Sequence, residues 1–304
     1  MKCLVTGGCG FIGSHLVDRL VEMGHQVVVV DNESSTANET FHYNKLAVYF
    51  MYDIADYTAI RPLMKDVDYV FHLAAESRIM NTIDNPLLCF NTNIYGTGVV
   101  LQAAREAGVK KVIYSSTSSA YGLLNSPPQE EKMIEDCLNP YSVSKVAGEK
   151  MCKMYTDLFG LKTIVFRYFN VYGPREPIKG PYAPVVGLFM RQHRAGDILT
   201  ITGDGKQRRD FVHVNDVVEA NIRAMLYAPK EMEKDYHGEL FNIGSGKSYS
   251  VLELAKMIDG RYAFIDARPG EAKETLADIK KASRILKWAP KEDLIQYVKE
   301  QLNR

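Results

Sequence analysis

Tyr141 and Lys145 stand four residues apart in Tyr141-Ser142-Val143-Ser144-Lys145, so on a helix they share one face. A free tyrosine has a pKa of about 10, too high for a base at neutral pH. A neighbouring ammonium, and any further positive charge held beside the phenol, favours the phenolate and brings that value down. Tyr141 then takes a proton from a hydroxyl while hydride leaves the same carbon. Taken alone, the pair reads more readily as a surface Tyr/Lys couple, since this spacing often arises by chance. Ser115-Ser116-Thr117-Ser118-Ser119 follows an apolar strand, where open α/β sheets bind ligands; a polar loop is the plainer alternative.

A second group of residues could hold a dinucleotide. Gly7, Gly10 and Gly13 have the spacing GxxGxxG at the end of the first apolar run, ahead of a helical pattern with Leu16, Val17, Leu20 and Val21 inward. A turn of this kind brings backbone close to a pyrophosphate and aims a helix N-terminus at it. The next apolar run ends at Asp31. A carboxylate there accepts hydrogen bonds from both ribose hydroxyls and repels a 2′-phosphate, so NAD is favoured over NADP. Asp53-Ile54 either flanks the adenine or is a strand-end turn.

The elements that must position these groups read as strands at Lys2–Thr6, Gln26–Asp31, Val48–Met51, Tyr69–His72, Lys111–Ser115 and Lys162–Arg167. Helices are expected over Ser14–Met23, Pro86–Ala107 and from Asn139-Pro140 to Gly160, with glycine at each end as a stop signal. Strand–helix alternation predicts an α/β fold, a Rossmann-like doubly wound parallel sheet with a smaller, discontinuous α/β substrate-binding domain. The NAD-binding domain is expected over 1–169 plus about 211–243, and the second domain over about 170–210 plus 244–304. After residue 169 Gly and Pro cluster, so loops are expected there; Phe211–Tyr227 reads as helix and Glu239–Ile243 as strand. Charge excludes other classes: 37 Lys+Arg balance 37 Asp+Glu, which argues against nucleic-acid or anionic-membrane partners. Five cysteines without metal spacing suit a reducing compartment and no metal. The absence of a signal-like start or a long apolar span predicts a cytoplasmic protein.

In order along the chain, Thr6–Gly13, His72-Leu73-Ala74-Ala75, Ser115–Gly122, Tyr141–Lys145, Arg167–Pro174, Arg209–Asp216 and Arg268–Glu271 resemble the extended short-chain dehydrogenase/reductases of the NAD-dependent nucleotide-sugar epimerase/dehydratase group. The resemblance covers nearly the whole chain. It implies tightly bound, recycled NAD, held by Gly7, Gly10, Phe11, Ile12, Gly13, Asp31, Asn32, Asp53, Ile54, Leu73, Ala74, Ala75, Asn93, Ser115, Tyr141, Lys145 and Tyr168. It makes Tyr141, Lys145 and Thr117 catalytic, with Ser119 assisting. Members share oxidation of a sugar hydroxyl to a ketone and differ afterwards. The 4,6-dehydratases carry Asp-Glu where this chain has Ser118-Ser119, and glucuronate decarboxylases carry Glu at position 119. Serines do not replace those acids and bases, so a UDP-sugar 4-epimerase is the leading expectation. A dehydratase or decarboxylase is the alternative, favoured by Glu76-Ser77 and Ile83–Pro86; a silent NAD-binding regulator is the non-enzyme one.

The substrate's diphosphate needs cations. Residues 161–210 hold nine basic and four acidic side chains, 9 − 4 = +5. The resemblance assigns Arg209 and Arg268 to the diphosphate and Asn170 to the nucleotide sugar, with Glu76 and Val186 as further substrate contacts. Leu188 and Phe189 bracket uracil or pack in the core. Thr275, small where glucose-restricted epimerases carry tyrosine, leaves room for an N-acetyl group. Helices Pro86–Ala107 and Asn139–Gly160 are apolar on more than one face, and the resemblance implies a homodimer through a four-helix bundle.

Overall fold

The near-continuous apolar runs become the strands of one large sheet. The computed structural model describes residues 1–35, 38, 40–177, 183–229, 234–266 and 273–303. In chain order its first half contains β1 (Lys2–Thr6), α1 (Phe11–Glu22), β2 (Gln26–Val30), β3 (Val48–Phe50), α2 (Tyr57–Leu63), β4 (Tyr69–His72), α3 (Ile79–Asp84), α4 (Pro86–Phe90), α5 (Thr97–Glu106), β5 (Lys111–Thr117) and α6 (Pro140–Phe159). There follow β6 (Thr163–Tyr168), β7 (Asn170–Tyr172), α7 (Val185–Ala195), β8 (Leu199–Thr202), β9 (Arg208–His213), α8 (Val214–Leu226) and β10 (Glu239–Ile243). Last come β11 (Ser248–Ser250), α9 (Val251–Ile258), β12 (Tyr262–Ile265), α10 (Lys280–Leu286) and α11 (Leu294–Leu302).

Seven strands form the order β10-β6-β5-β4-β1-β2-β3, every pair parallel. Alternate residues feed opposite layers, as strand geometry demands. Cys3, Val5, Val27 and Val29 face a core shared with Leu16, Leu20, Val217 and Trp288. Leu4, Val28 and Val30 face the other, with Ile60, Val100 and Cys152. The order reverses between β1 and β4, the switch point where such sheets bind ligands at strand carboxyl ends. Thr6 pairs with His72, and Thr117 with Tyr168, in that row of ends.

Three expectations are corrected. The helix expected over Pro86–Ala107 is broken by a wider π-turn at Asn91–Gly96, which swings Asn93 under the site while Gly96 packs on Ile54; such turns gather at functional sites. Phe211–His213 does not begin a helix but ends β9. Its apolar run is buried in a small sheet of order β11-β9-β7, and His213 Nδ1 accepts from Asn215 N–H to start α8. The region after residue 169 is richer in helix than its Gly and Pro suggest. There α7, α9 and α11 enclose a third core with Phe189, Leu199, Ile201, Leu254 and Val298. The chain then returns, and Ala282, Leu286 and Trp288 pack into the first core. Among the described residues no helix is long and apolar enough to cross a membrane.

Candidate active site

Backbone geometry makes the first cradle. Gly7 has φ +71°, and a Cβ on it would lie 2.7 Å from Ala74 N; one on Gly13 would lie 2.1 Å from Gly7 O. Both positions therefore need glycine. The α1 N-terminus has no side-chain cap and no acid in its first turn, so its leading N–H groups suit a pyrophosphate. Asp31 accepts from Cys9 N and Glu33 N, each at 2.9 Å, which fixes its carboxylate beside the cradle. These groups open on a cavity of about 280 Å³. Gly7, Gly10, Phe11, Ile12, Gly13, Asp31, Asn32, Ile54, Leu73, Ala74, Ala75, Ser115, Tyr141, Lys145 and Tyr168 all line it, as does Glu76. A glycine cradle, an uncapped helix start and an acid at the second strand fit NAD.

Two expected cofactor contacts lie elsewhere. Asp53 turns back on its own chain, accepting from Ala55 N at 2.8 Å; Tyr52 and Ile54 on either side reach the cavity. Asn93 is buried. Its amide donates to Glu76 O at 2.9 Å and to Ser144 Oγ at 2.9 Å, and its Oδ1 accepts from Glu76 N at 2.8 Å. It therefore supports the cavity wall and the first turn of α6.

Asn139 opens α6 through a capping box, accepting from Ser142 N at 2.9 Å, with Pro140 in the first turn. That start sets Tyr141 and Lys145 on the face toward β5. Thr117, at the carboxyl end of β5, hydrogen-bonds the Tyr141 hydroxyl and donates to Ser119 Oγ at 3.1 Å. Tyr141, Thr117 and Ser119 thus come together. Beneath them Arg167, fully buried, bonds the Glu149 carboxylate at 2.9 and 2.7 Å, and Ser116 Oγ donates to the same carboxylate at 2.5 Å. This ties β5, α6 and β6 into one frame. His72 joins β4 to its neighbours, with Nδ1 2.7 Å from Thr6 Oγ1 and Nε2 2.9 Å from Thr97 Oγ1. Thr97 donates onward to Asn93 O, so Nε2 carries the proton.

The electrostatics differ from the expectation. Burial pushes the Tyr141 phenol above its ordinary value, against the pull of its Thr117 hydrogen bond and the charge of Arg78. Lys145 is itself pushed down to about 8 by burial, and its Nζ lies 4.5 Å from the Tyr114 ring centroid. The cation whose field reaches Tyr141 is Arg78, which sequence reasoning missed. Its signal was position: Arg78 sits just past the carboxyl end of β4, at the switch point. Glu176 was missed too. Burial raises its carboxyl to about 8, and its Oε1 is buried with no hydrogen-bond partner.

A second cavity of about 340 Å³ gathers Ser118, Ser119, Asn170, Leu188, Arg209 and Thr275. Asn170 donates to Asp210 O at 2.8 Å and to Thr275 Oγ1 at 3.3 Å. Asp210, also missed, is fully buried and accepts from Ser245 N, Gly246 N and Ala277 N, holding the loops that carry Thr275. Leu188 faces this cavity, whereas Phe189 is core. Val186 is buried away from both cavities, in the third core. Arg268 lies outside the described residues. Among those residues no cluster of three His, Cys, Asp or Glu could hold a metal.

Comparison with known proteins agrees with this geometry. Residues 3–244 match the model of the NAD dependent epimerase/dehydratase family. A putative UDP-glucose 4-epimerase of Methanocaldococcus jannaschii is 37% identical over 99% of this chain and 97% of its own. A UDP-N-acetyl-alpha-D-glucosaminuronate decarboxylase of Bacillus cytotoxicus is 40% identical over 84% of this chain and 79% of its own. The crystal structure of UDP-glucose 4-epimerase from Thermotoga maritima with UDP-glucose superposes with a TM-score of 0.92 at 36% identity, covering 100% of this chain and 98% of that one. The chain belongs to the NAD dependent epimerase/dehydratase family.

Proposed function

We propose that this protein is an NAD-dependent UDP-sugar 4-epimerase. The observation that carries the reading is the meeting of Tyr141, Thr117 and Ser119 at the carboxyl end of β5, beside Lys145, with serines where elimination would need acids. NAD, when bound, accepts hydride from the sugar carbon and returns it. The chain's own residues handle the proton: Tyr141 takes it from the C4 hydroxyl and gives it back to the ketone oxygen. Thr117 hydrogen-bonds the reacting oxygen, and Lys145 orients the cofactor ribose. Between the two proton transfers the 4-keto sugar turns over in the cleft and presents its other face. Arg209 and Arg268 hold the diphosphate and Asn170 the nucleotide sugar.

Supporting elements of the proposal follow the same geometry. The large sheet, with α8 and β10, forms the cofactor domain; β7, β9 and the third core form the substrate domain. Leu87 and Leu158 are 78% and 70% exposed on helices packed beside one another, a face suited to a homodimer through a four-helix bundle. The proposed location is the cytoplasm. Thr275 beside Asn170 leaves space for an N-acetyl group.

The test adds no cofactor. Purified protein is incubated separately with UDP-glucose, UDP-GlcNAc, UDP-glucuronate and dTDP-glucose, and products are read by proton NMR. A 4-epimer of any UDP sugar supports the reading, and its formation without added NAD shows that cofactor is retained. A 4-keto-6-deoxy product from dTDP-glucose overturns it.

A further inference from the structure

We infer that a third cavity binds an organic phosphate, a nucleotide-like molecule whose phosphate sits on Arg191 and Arg194. The cavity measures about 560 Å³, a size typical of small-molecule sites. One side comes from Phe11, which opens α1, with Asn38, Thr40 and His42. The other comes from α7, through Met190, Arg191 and Arg194, and from Tyr297 and Gln301 of α11. Residues 173–177 join the two sides. Among the described residues, none is shared with the cavity of Asn170 and Arg209, and only Phe11, Asn38 and Pro177 border the cofactor cavity as well. The epimerase reading gives this space no task, and the inference does not depend on that reading.

Its charges are arranged for an anion. Arg175, Arg191 and Arg194 are exposed in the lining, whereas its one acid, Glu176, is buried. Arg175 is already engaged, 2.7 Å from the Asp18 carboxylate of α1. His15 Nε2, 2.9 Å from Pro174 O, fastens the same segment to α1. These contacts hold Arg175 at φ +63°, a left-handed backbone that a residue other than glycine adopts at a cost, so this part of the lining is built in advance. Two cations remain for a ligand. Arg191 makes no hydrogen bond or ion pair among the described residues, and Arg194 meets the neutral amide of Gln301 at 2.9 Å. Three residues apart on α7, they present one helix face. Two guanidinium forks side by side suit a phosphate dianion, which takes paired charge-assisted hydrogen bonds. Beside them Phe11, Pro174, Met190 and Tyr297 make an apolar and aromatic wall. The Tyr297 ring is fixed by Tyr172 and His213, with centroids 5.2 and 5.3 Å away. A bare phosphate leaves that wall unused, and a phosphate carrying a ring covers it. Such a ligand ties α1, whose start faces the pyrophosphate position, to α7, whose Leu188 lines the sugar cavity.

The experiment fills the first two cavities and asks whether the third still takes a ligand. Protein saturated with NAD and with UDP-glucose is titrated in a calorimeter with adenosine 5′-monophosphate, with adenosine and with inorganic phosphate. The monophosphate is expected to bind once per chain and more tightly than either of its halves. The double variant Arg191→Gln, Arg194→Gln should weaken it about 30-fold or more, the order of lost charge-assisted pairs. Both arginines are exposed, so the variant should keep its circular dichroism, its bound NAD and its turnover of UDP sugar measured without the monophosphate. Four results overturn the inference. They are no binding of the monophosphate at millimolar concentration, binding that fades as NAD or UDP-glucose is raised, affinity untouched by the double substitution, and inorganic phosphate or adenosine bound as tightly as the monophosphate. The last would leave a site for a free anion or for a ring alone.

Discussion

Burial raises the Tyr141 phenol, Thr117 and Arg78 pull the other way, and the positive charge of oxidised nicotinamide would favour the phenolate further. Replacing the Tyr141 hydroxyl should remove the proton transfer without disturbing the cradle. Tyr141→Phe is expected to lower kcat about 10²- to 10⁴-fold, while absorbance of the purified protein shows NAD still bound. His72 carries a second residue-level prediction. Burial, together with the charge of Lys145, lowers its pKa to about 3, against about 6.5 in an unfolded chain. Between those values the unfolded state binds more protons, so stability rises with pH from about 3 to 6.5 and is lost on acidification. Urea midpoints measured across that range should show this slope, and His72→Asn should flatten it. Chemistry at this scale was legible where type and spacing combined, as at Tyr141/Lys145 and Gly7/Gly10/Gly13. Arg78 left only a positional signal, past the end of β4, and Glu176 none. Each is a single charged residue in a loop, and what matters about it is burial and neighbours distant in the chain.

Most elements of the large sheet could be read because its inner strands are buried on both faces and hence mostly apolar, and because glycine follows the ends of α1, α5 and α6. The small sheet hides for the opposite reason. Strands β7 and β11 have three residues each, too few for a period, and β9 runs straight into α8 at Val214 with no turn residue between them. The π-turn escaped because its cause is tertiary, the bonding of Asn93 to Glu76 and Ser144. Lys111 shows how an element can depend on one such distant side chain. It starts β5, yet its buried Nζ donates to the carbonyls of Ala224, Met225 and Tyr227 at 2.8, 3.2 and 2.6 Å, closing the end of α8. Lys111→Met leaves those carbonyls without their donor and should cost about 2–4 kcal/mol in urea unfolding.

At the scale of the molecule, zero net charge conceals unlike regions: an acid, Asp31, beside the glycine cradle, and cations at Lys145, Arg78 and Arg209 in the first two cavities. Exposed leucines on the neighbouring helices α4 and α6, Leu87 and Leu158, are the other global feature. Sedimentation should give twice the mass of the chain, and Leu87→Asp combined with Leu158→Asp should give the single chain with its helical circular dichroism kept. One property of the sheet bears on how the protein is made. Its edge strand β10 is laid down about seventy residues after β6, several seconds later at about 5–20 residues per second, and Trp288 reaches the core later still. Until then the growing chain presents β6 as an open strand edge beside an uncovered apolar face. The cofactor fold is thus not an N-terminal unit that finishes while the rest is still being translated. A chain stopped at residue 169 should be recovered in aggregates, and one continued through residue 303 in solution, so this enzyme depends on its own far end, or on a chaperone holding the gap, to be born folded.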